Sequence, residues 1–324
     1  MSLGPSSHSI PLATSAPVEG WPSVSVVVPT HRRADVLPLA MQSILDQDYG
    51  GPIEVIAVFD REEPVLPAVT VPSSRGVRLL ANERSAGPAG GYNTGALAAS
   101  GEYLAFCNDD DQWLPDKLRL QMDALCRHPE AVAATCGIYL GDGPASRRSP
   151  VRMPSRDVLN LRKLLRTGRT EVHMSTLLVR RTEVLRRVGL IDEAIPGSYG
   201  EDYDWLIRIA RVSPVIVVRR PLVRVTWQRS YFVDRWPIIV EALAYQLEHR
   251  PELTRDPMNL ARIYGRIAFA HAAMGHRREA RRWARRSLLL TRREPRAYLA
   301  YLVSLGVVRA RTLLRLAHSV GRGV

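Results

Sequence analysis

A chain of 324 residues with 46% hydrophobic and 24% charged side chains can bury a sizeable core, and its length favours one large domain with a smaller companion. No apolar run approaches the roughly 18 residues that a membrane helix needs, and the first twenty residues lack a basic start followed by an apolar stretch, so neither a membrane span nor a secretory signal is expected. The net charge of +13 rests almost wholly on arginine, Lys117 and Lys163 being the lysines, and no nucleic-acid-binding motif or aromatic-rich strand accompanies it.

Residues 1–22, rich in Ser, Pro and Gly, are expected as a loose arm. Order begins with an apolar strand at 23–28, closed by Pro29 and a polar turn, and continues into a helix over about 35–47. A second strand at 53–59 ends at Asp60. Gly87 to Gly91 lead into a helix around 93–99, then a strand at 103–107 and a helix from Pro115 through Cys126. This alternation predicts an α/β fold, a largely parallel Rossmann-like sheet with helices on both faces. Ligands in such sheets collect beyond the carboxyl ends of the strands, where Thr30, Asp60 and Asp109–Asp110 fall.

Further on, the pattern predicts a strand at 131–140, a turn-rich loop at 141–156, a strand at 174–179 running into a helix at 182–188, a helix at 202–212, and apolar runs at 214–218 and 222–226. From about 234 the pattern is helical. The stretch from 266 to Pro295 resembles one tetratricopeptide-like hairpin, and 297–319 has apolar and arginine positions at helical spacing. The expected organisation is an arm over 1–22, an α/β domain over 23–232 in two halves, one to about 115 and one from 116, and a helical domain over 233–324 that caps the first or mediates a homodimer. The arginine excess after residue 276 reads as a solvated helix face, with peripheral contact to an anionic membrane surface as the alternative. Cys107, Cys126 and Cys136 lack paired metal-ligand spacing and are expected as buried thiols of a reducing, cytoplasmic compartment.

Two acidic clusters carry the chemistry. Asn108-Asp109-Asp110-Asp111 follows a buried apolar run, where carboxylates seldom help stability. A hard divalent cation prefers such oxygen ligands and can neutralise charge on a departing diphosphate. The competing account is a solvated acidic turn before Pro115. Glu201-Asp202-Tyr203-Asp204 opens a predicted helix. Free N–H groups there would hold Asp202 ionised, able to take a proton from an attacking hydroxyl, with Glu201 orienting it; a helix cap with a salt bridge to Arg208 is the plainer account.

VSVVVPTH at 24–31, the strand-end Asp60, AASGEYLAFCNDDD at 98–111, and RRTEVLRRVGLIDE at 180–193 leading to GEDYDW at 200–205 together resemble the family 2 glycosyltransferases over about 22–230. The resemblance implies a GT-A fold, a nucleotide-sugar donor, Mg²⁺ or Mn²⁺, and transfer with inversion to an acceptor hydroxyl. It makes Asp60 the base-recognising aspartate, Asp110 the metal-facing residue of an Asp-X-Asp motif and Asp202 the catalytic base, with Thr30 at the nucleotide. Phe59 and Asn108 depart from the family pattern, each standing where many members carry an aspartate, and an amide at 108 brings no charge to a metal.

Arg32, Arg33 or Arg84 is expected on the pyrophosphate. Asn82 and Asn93 either position diphosphate or fasten the glycine loop between them. His173 either reaches the metal or is structural. Trp113, Trp205 and Asp204 are candidates for an acceptor wall, with core packing an equal alternative for the two indoles, while Trp227 and Trp236 are assigned to packing. A UDP- or TDP-sugar is the preferred donor, and the acceptor is a small molecule, natural product, glycan or peptide at the cytoplasmic side. A nucleotidyltransferase would need a glycine- and lysine/arginine-rich triphosphate loop where this chain has Pro29-Thr-His-Arg-Arg33; a catalytically silent scaffold would not need Asp110 and Asp202 together.

Overall fold

The computed structural model describes residues 8–10, 20–141, 150–167, 172–226, 232 and 234–319. The remainder of the N-terminal arm, residues 142–149 of the loop expected at 141–156, and Trp227 lie outside the described residues.

The chain enters as β1 (His8–Ile10), β2 (Val24–Thr30), α1 (Leu37–Leu45), β3 (Ile53–Phe59), β4 (Arg75–Ala81), α2 (Pro88–Ala98) and β5 (Tyr103–Phe106). Strands β4, β3, β2 and β5 lie side by side and parallel, with Val24 opposite both Ile53 and Tyr103. The side chains of β2, β3 and β5 are buried on both faces, which is why these strands read as largely apolar runs instead of alternating ones, whereas β4, with Arg75, Gly76 and Arg78 among its seven residues, carries no such run and is not among the strands expected from the sequence. Glu54, buried within β3, is held by Ser25 Oγ, Ser100 N (2.6 Å) and Ser100 Oγ (2.7 Å). Burial alone would raise its pKa, but these donors lower it below the usual carboxylate range. Part of the expected loose arm is ordered: β1 adds an antiparallel edge strand to β4.

Next come β6 (Gln112–Trp113), α3 (Lys117–Arg127), β7 (Ala133–Leu140), β8 (Val151–Arg152), β9 (Val158–Leu159), α4 (Leu161–Thr167), β10 (Leu178–Arg180), α5 (Arg181–Arg187), α6 (Glu201–Val212) and β11 (Val215–Val225). The described strands make one sheet in the order β1-β4-β3-β2-β5-β10-β7-β11-β6, with β8 on β7 and β9 on β11. The sheet is parallel on its N-terminal side and mixed beyond β5, because β10 runs antiparallel to both β5 and β7. The strand expected over 174–179 is only Leu178–Arg180; Met174–Thr176 form a 3-10 turn in which Thr176 N and Oγ1 both donate to His173 O. The apolar runs at 214–218 and 222–226 are one strand, broken in register around Pro221 where it pairs with β7. Cys107 and Cys136 are buried, but Cys126 is exposed, on the solvent side of α3.

Seven-tenths of the way along, the chain becomes helical: α7 (Trp236–His249), α8 (Glu252–Arg255), α9 (Pro257–Ala273), α10 (Arg277–Leu290), α11 (Pro295–Ser304) and α12 (Ala310–Ser319). Asp256 caps α9 by accepting from Asn259 N at 2.9 Å, and Gly275 at φ +81° turns the chain into α10. Small residues let these helices approach closely. Ala280, Ala284 and Ser287 form the buried stripe of α10, and Ser287 Oγ donates to Ala261 O at 2.7 Å. By contact density the chain divides into a unit of residues 1–161, 170–193 and 201–227, and a unit of 162–169, 194–200 and 228–324. The second is therefore not one continuous stretch: two short segments from before residue 201 belong to it.

Candidate active site

The carboxyl ends of β2, β3 and β5 hold the first constellation. Asp60 N donates to Thr30 O at 2.9 Å, tying β3 to β2 where both strands stop. The Asp60 carboxylate is presented by two donors, Asn82 Nδ2 (2.8 Å, to Oδ1) and Gly87 N (2.9 Å, to Oδ2), while His31 Nδ1 donates to Asp60 O at 2.6 Å. Asn82 also donates to Ser85 O at 2.9 Å and accepts from Thr94 Oγ1 at 3.0 Å, so it fastens the glycine loop to the head of α2.

Beyond β5 the three aspartates separate. Thr30 Oγ1 donates to Asp109 Oδ2 at 2.9 Å, and Arg33 Nη1 lies 3.5 Å from Asp109 Oδ1. Burial raises Asp109 to a pKa of about 6, against the lowering effects of Arg33 and Thr30. Asp110 is the more accessible, with 18% of its side chain exposed, and its Oδ2 accepts from Arg33 Nη1. Asp111 is fully buried: Ser175 Oγ donates to its Oδ2 at 2.5 Å and His173 Nδ1 lies 3.4 Å from the same oxygen without forming a well-aligned bond. Burial raises Asp111 to about 6 as well, with His173 and Ser175 opposing. His173 thus stands beside Asp111, not beside Asp110. Asn108 accepts from the Tyr92 hydroxyl, and its N–H donates to Ser175 Oγ at 3.0 Å.

The second cluster opens α6. Glu201 and Asp202 are half-buried, and Asp202 Oδ1 accepts from Tyr203 N at 2.7 Å at the start of the helix. The pairing with Arg208 belongs to Asp204 instead, at 2.9 Å and buried, which takes Asp204 away from an acceptor. Tyr92 links the clusters. Its hydroxyl pKa is pushed well above normal, first by burial and then by the negative charges of Glu201, Asp111 and Asp202. Charges from both motifs therefore act on one buried hydroxyl, whose hydrogen-bond partner is Asn108.

Other expected positions lie elsewhere. Trp113 is 4% and Trp205 2% exposed; Trp205 packs edge-on against Phe106 and Lys117 Nζ sits 3.7 Å from the centre of the Trp113 ring, so neither indole offers a face to a sugar. Trp236 is buried against Phe269. Asn93 faces the 191–193 loop, donating to Ile191 O at 2.8 Å and Glu193 Oε1 at 2.6 Å. Arg84 is engaged by Glu193 at 2.5 Å, and Arg32, at φ +54°, is exposed with its N–H donating to Glu62 at 2.8 Å. Tyr92 and Ser175 are not singled out by the sequence, and Glu193 is marked only as the end of the 180–193 motif, since each acts on partners 16 to 109 residues away. Burial would raise Glu193, but Asn93, Arg84 and Ser85 together hold it at about 2.

Among the described residues no group of three or more His, Cys, Asp or Glu side chains forms a metal cage, and no helix is long and apolar enough to cross a membrane.

The chain is 38% identical over 108 residues to the succinoglycan biosynthesis protein ExoO of Rhizobium meliloti (strain 1021), a match covering 33% of this chain and 30% of that protein. It is 29% identical over 105 residues to the UDP-Glc:alpha-D-GlcNAc-diphosphoundecaprenol beta-1,3-glucosyltransferase WfgD of Escherichia coli, covering 32% and 42%. It thus spans less than half the length of either curated relative. The crystal structure of S. aureus TarS 1-349 in complex with UDP-GlcNAc has a TM-score of 0.56 at 15% identity over 93% of this chain and 92% of that one, a likeness of fold: a GT-A-type α/β sheet followed by a helical block. The sequence model of glycosyl transferase family 2 matches residues 25–189, just over half of the chain and the half that holds Thr30, Asp60 and the three aspartates, so the chain belongs to that family.

Proposed function

We propose that this protein is an inverting glycosyltransferase that moves a sugar from a nucleoside diphosphate sugar, a UDP- or TDP-sugar, to an acceptor hydroxyl. The observation that carries the proposal is that, within the family-matched region, the adjacent parallel strands β3, β2 and β5 end in Asp60, Thr30 and the 109–111 aspartates, with Thr30 Oγ1 donating to Asp109 at 2.9 Å. Asp60, fixed by Asn82 and the Gly87 amide, presents its carboxylate edge to a nucleobase, and Thr30 with Asp109 lines the approach to the ribose. Asp202 takes the proton from the acceptor hydroxyl as it attacks the anomeric carbon from the side opposite the departing diphosphate, and Glu201 orients it. The protein contributes alignment and charge placement above all.

Asp110 fits a magnesium-type ion. Such an ion takes one or two carboxylates and completes its shell with substrate phosphates, so the lack of a protein-only cage among the described residues agrees with the donor set present. Asp110 would hold Mg²⁺ or Mn²⁺ with support from Asp109, and the ion would supply charge neutralisation on the leaving diphosphate. His173, beside buried Asp111, is a less direct ligand. Arg33 is the chain's own counter-charge to Asp109 and Asp110 and must yield one of them, or join the diphosphate, when donor binds.

The activity named for WfgD, with a UDP-sugar donor and a diphospholipid acceptor, supports a uridine nucleotide and a lipid-linked glycan as the first substrates to try. The helical block lies outside this chemistry. Its hairpin of α9 and α10, joined by three residues, supports a tetratricopeptide-like unit, and homodimerisation and peripheral membrane contact at the cytoplasmic side are part of the same proposal. Calorimetric titration with UDP, TDP, GDP and ADP, each with Mn²⁺ and with EDTA, tests the donor site. One nucleotide should bind with metal and weaken by about tenfold or more both in EDTA and in Asp110→Ala; no binding of any nucleotide would refute it.

A further inference from the structure

The positive charge of this molecule is placed very unevenly. Residues 276–324 hold thirteen arginines and two glutamates, so eleven of the thirteen net charges fall on the last 49 residues. On α10 the buried stripe of Ala280, Ala284 and Ser287 turns Arg278, Arg281, Arg282, Arg285 and Arg286 to solvent. The same exposed side of the helix ends in Leu289, 77% exposed, and Leu290. Exposed apolar side chains then continue through Tyr298, Leu302, Leu305 and Val307, the last 70% exposed, with Arg309 and Arg311 exposed just after. Half of the large apolar side chains exposed among the described residues lie between 289 and 307.

We propose that the basic and apolar exposed face of α10, with the exposed apolar and arginine side chains of α11 and the 305–311 turn beside it in the chain, docks on a bilayer rich in anionic phospholipid. The pairing of the two residue classes selects the occupant. A nucleic acid would engage the arginines and leave the leucines in water. A second copy meeting this surface face to face would set arginine against arginine. An anionic bilayer accepts both: guanidinium groups fork onto headgroup phosphates, and leucine, valine and tyrosine side chains enter the boundary beneath them. The proposal gives the membrane contact named above its residues and its lipid class, and rests on that reading only for the idea that the acceptor is itself held in the membrane.

The test is co-sedimentation of the full chain with phosphatidylcholine vesicles and with vesicles rich in phosphatidylglycerol, each preparation also being titrated with UDP and Mn²⁺ and checked for helicity. Binding should occur on the anionic vesicles alone and fall about tenfold or more in high salt and in Arg281→Glu/Arg285→Glu. Leu289→Ser/Leu305→Ser, which keeps every charge, should weaken it as well, with Leu289→Ala/Leu305→Ala as the milder form if helicity drops. Equal binding to neutral vesicles, no binding, or an undiminished leucine variant would overturn the proposal, as would a dimer that the leucine variant dissolves. Nucleotide affinity should stay unchanged in all variants, so failure of the donor site and failure of the docking surface give different results.

Discussion

Asp109, Asp110 and Asp111 are chemically identical and consecutive, yet they end in three environments. The chain leaves β5 as an irregular turn, so successive side chains point to the β2 end (Thr30), to the open side with Arg33, and inward to Ser175. Burial pushes the first and third up to about 6 and leaves the second as the accessible carboxylate. Lys117 shows the same logic with the opposite charge. It is fully buried, donates to Gln121 Oε1 at 2.8 Å, and burial lowers its pKa to about 8 from 10.5. A folded pKa below the unfolded one means that the fold resists protonation: the cost is fully present below about pH 8 and disappears as pH rises toward 10.5. That cost is at most on the order of 3 kcal/mol. Lys117→Met removes it, so the melting temperature of the variant minus that of the parent should be largest near pH 7 and shrink steadily toward pH 10. A difference that does not change with pH would mean that Lys117 is not desolvated as the packing indicates.

At the scale of elements, α2 lies on β2 at a distance only glycine permits. A Cβ on Gly95 would fall 2.3 Å from Val27 Cγ1 and 2.7 Å from Cγ2, and one on Gly91 2.8 Å from Pro29 Cβ. Gly95→Ala should therefore destabilise by about 1–3 kcal/mol through overpacking. The double variant with Val27→Ala should lose less than the two single losses added, as direct contact requires; simple additivity in denaturant melts would refute the contact. The same packing accounts for what the sequence revealed. Doubly buried strands such as those at 24–30, 53–59 and 103–106 are largely apolar runs, with Ser25 and Glu54 satisfying each other inside, and their ends located Thr30, Asp60 and Asp109–Asp110 without any coordinates. β10 was legible only as the end of a longer run, because the first half of the strand expected at 174–179 folds as a 3-10 turn, and β4 left no trace at all, because Arg75, Gly76 and Arg78 interrupt its apolar residues. Trp113 and Trp205 looked available because a tryptophan beside an acidic motif reads the same whether its ring faces a sugar or the core. Glu193 stood in the 180–193 motif with no legible role, because its partners Arg84, Ser85 and Asn93 are 100 or more residues away.

For the whole molecule, the point of interest is that the helical unit recruits chain from inside the family-matched region and its sequel. Segment 194–200 is held by later residues: Gln246 Nε2 donates to Tyr199 O at 2.9 Å, Tyr199 packs edge-on to Phe232 at 4.8 Å, and Gly197 at φ +59° sits where a Cβ would be 2.5 Å from Ile238. Segment 162–169 is held likewise, Arg262 Nη1 donating to Arg166 O at 2.7 Å. A polypeptide ending at residue 227 retains every residue assigned to the donor, but it uncovers Leu164, Ile195 and Tyr199, each worth about 1.5–3 kcal/mol when buried. It also frees the seven residues that run directly into Glu201 and Asp202. The truncated protein should bind UDP and Mn²⁺ within about tenfold of the full chain, since the proposed donor site is built from β2, β3 and β5, while turnover should fall by about a hundredfold as Asp202, the proposed base, loses its placement. A lower melting temperature should accompany the loss. Full turnover from residues 1–227 would show that Asp202 is positioned without segment 194–200; loss of nucleotide binding in step with turnover would show that the donor site, too, depends on the helical unit.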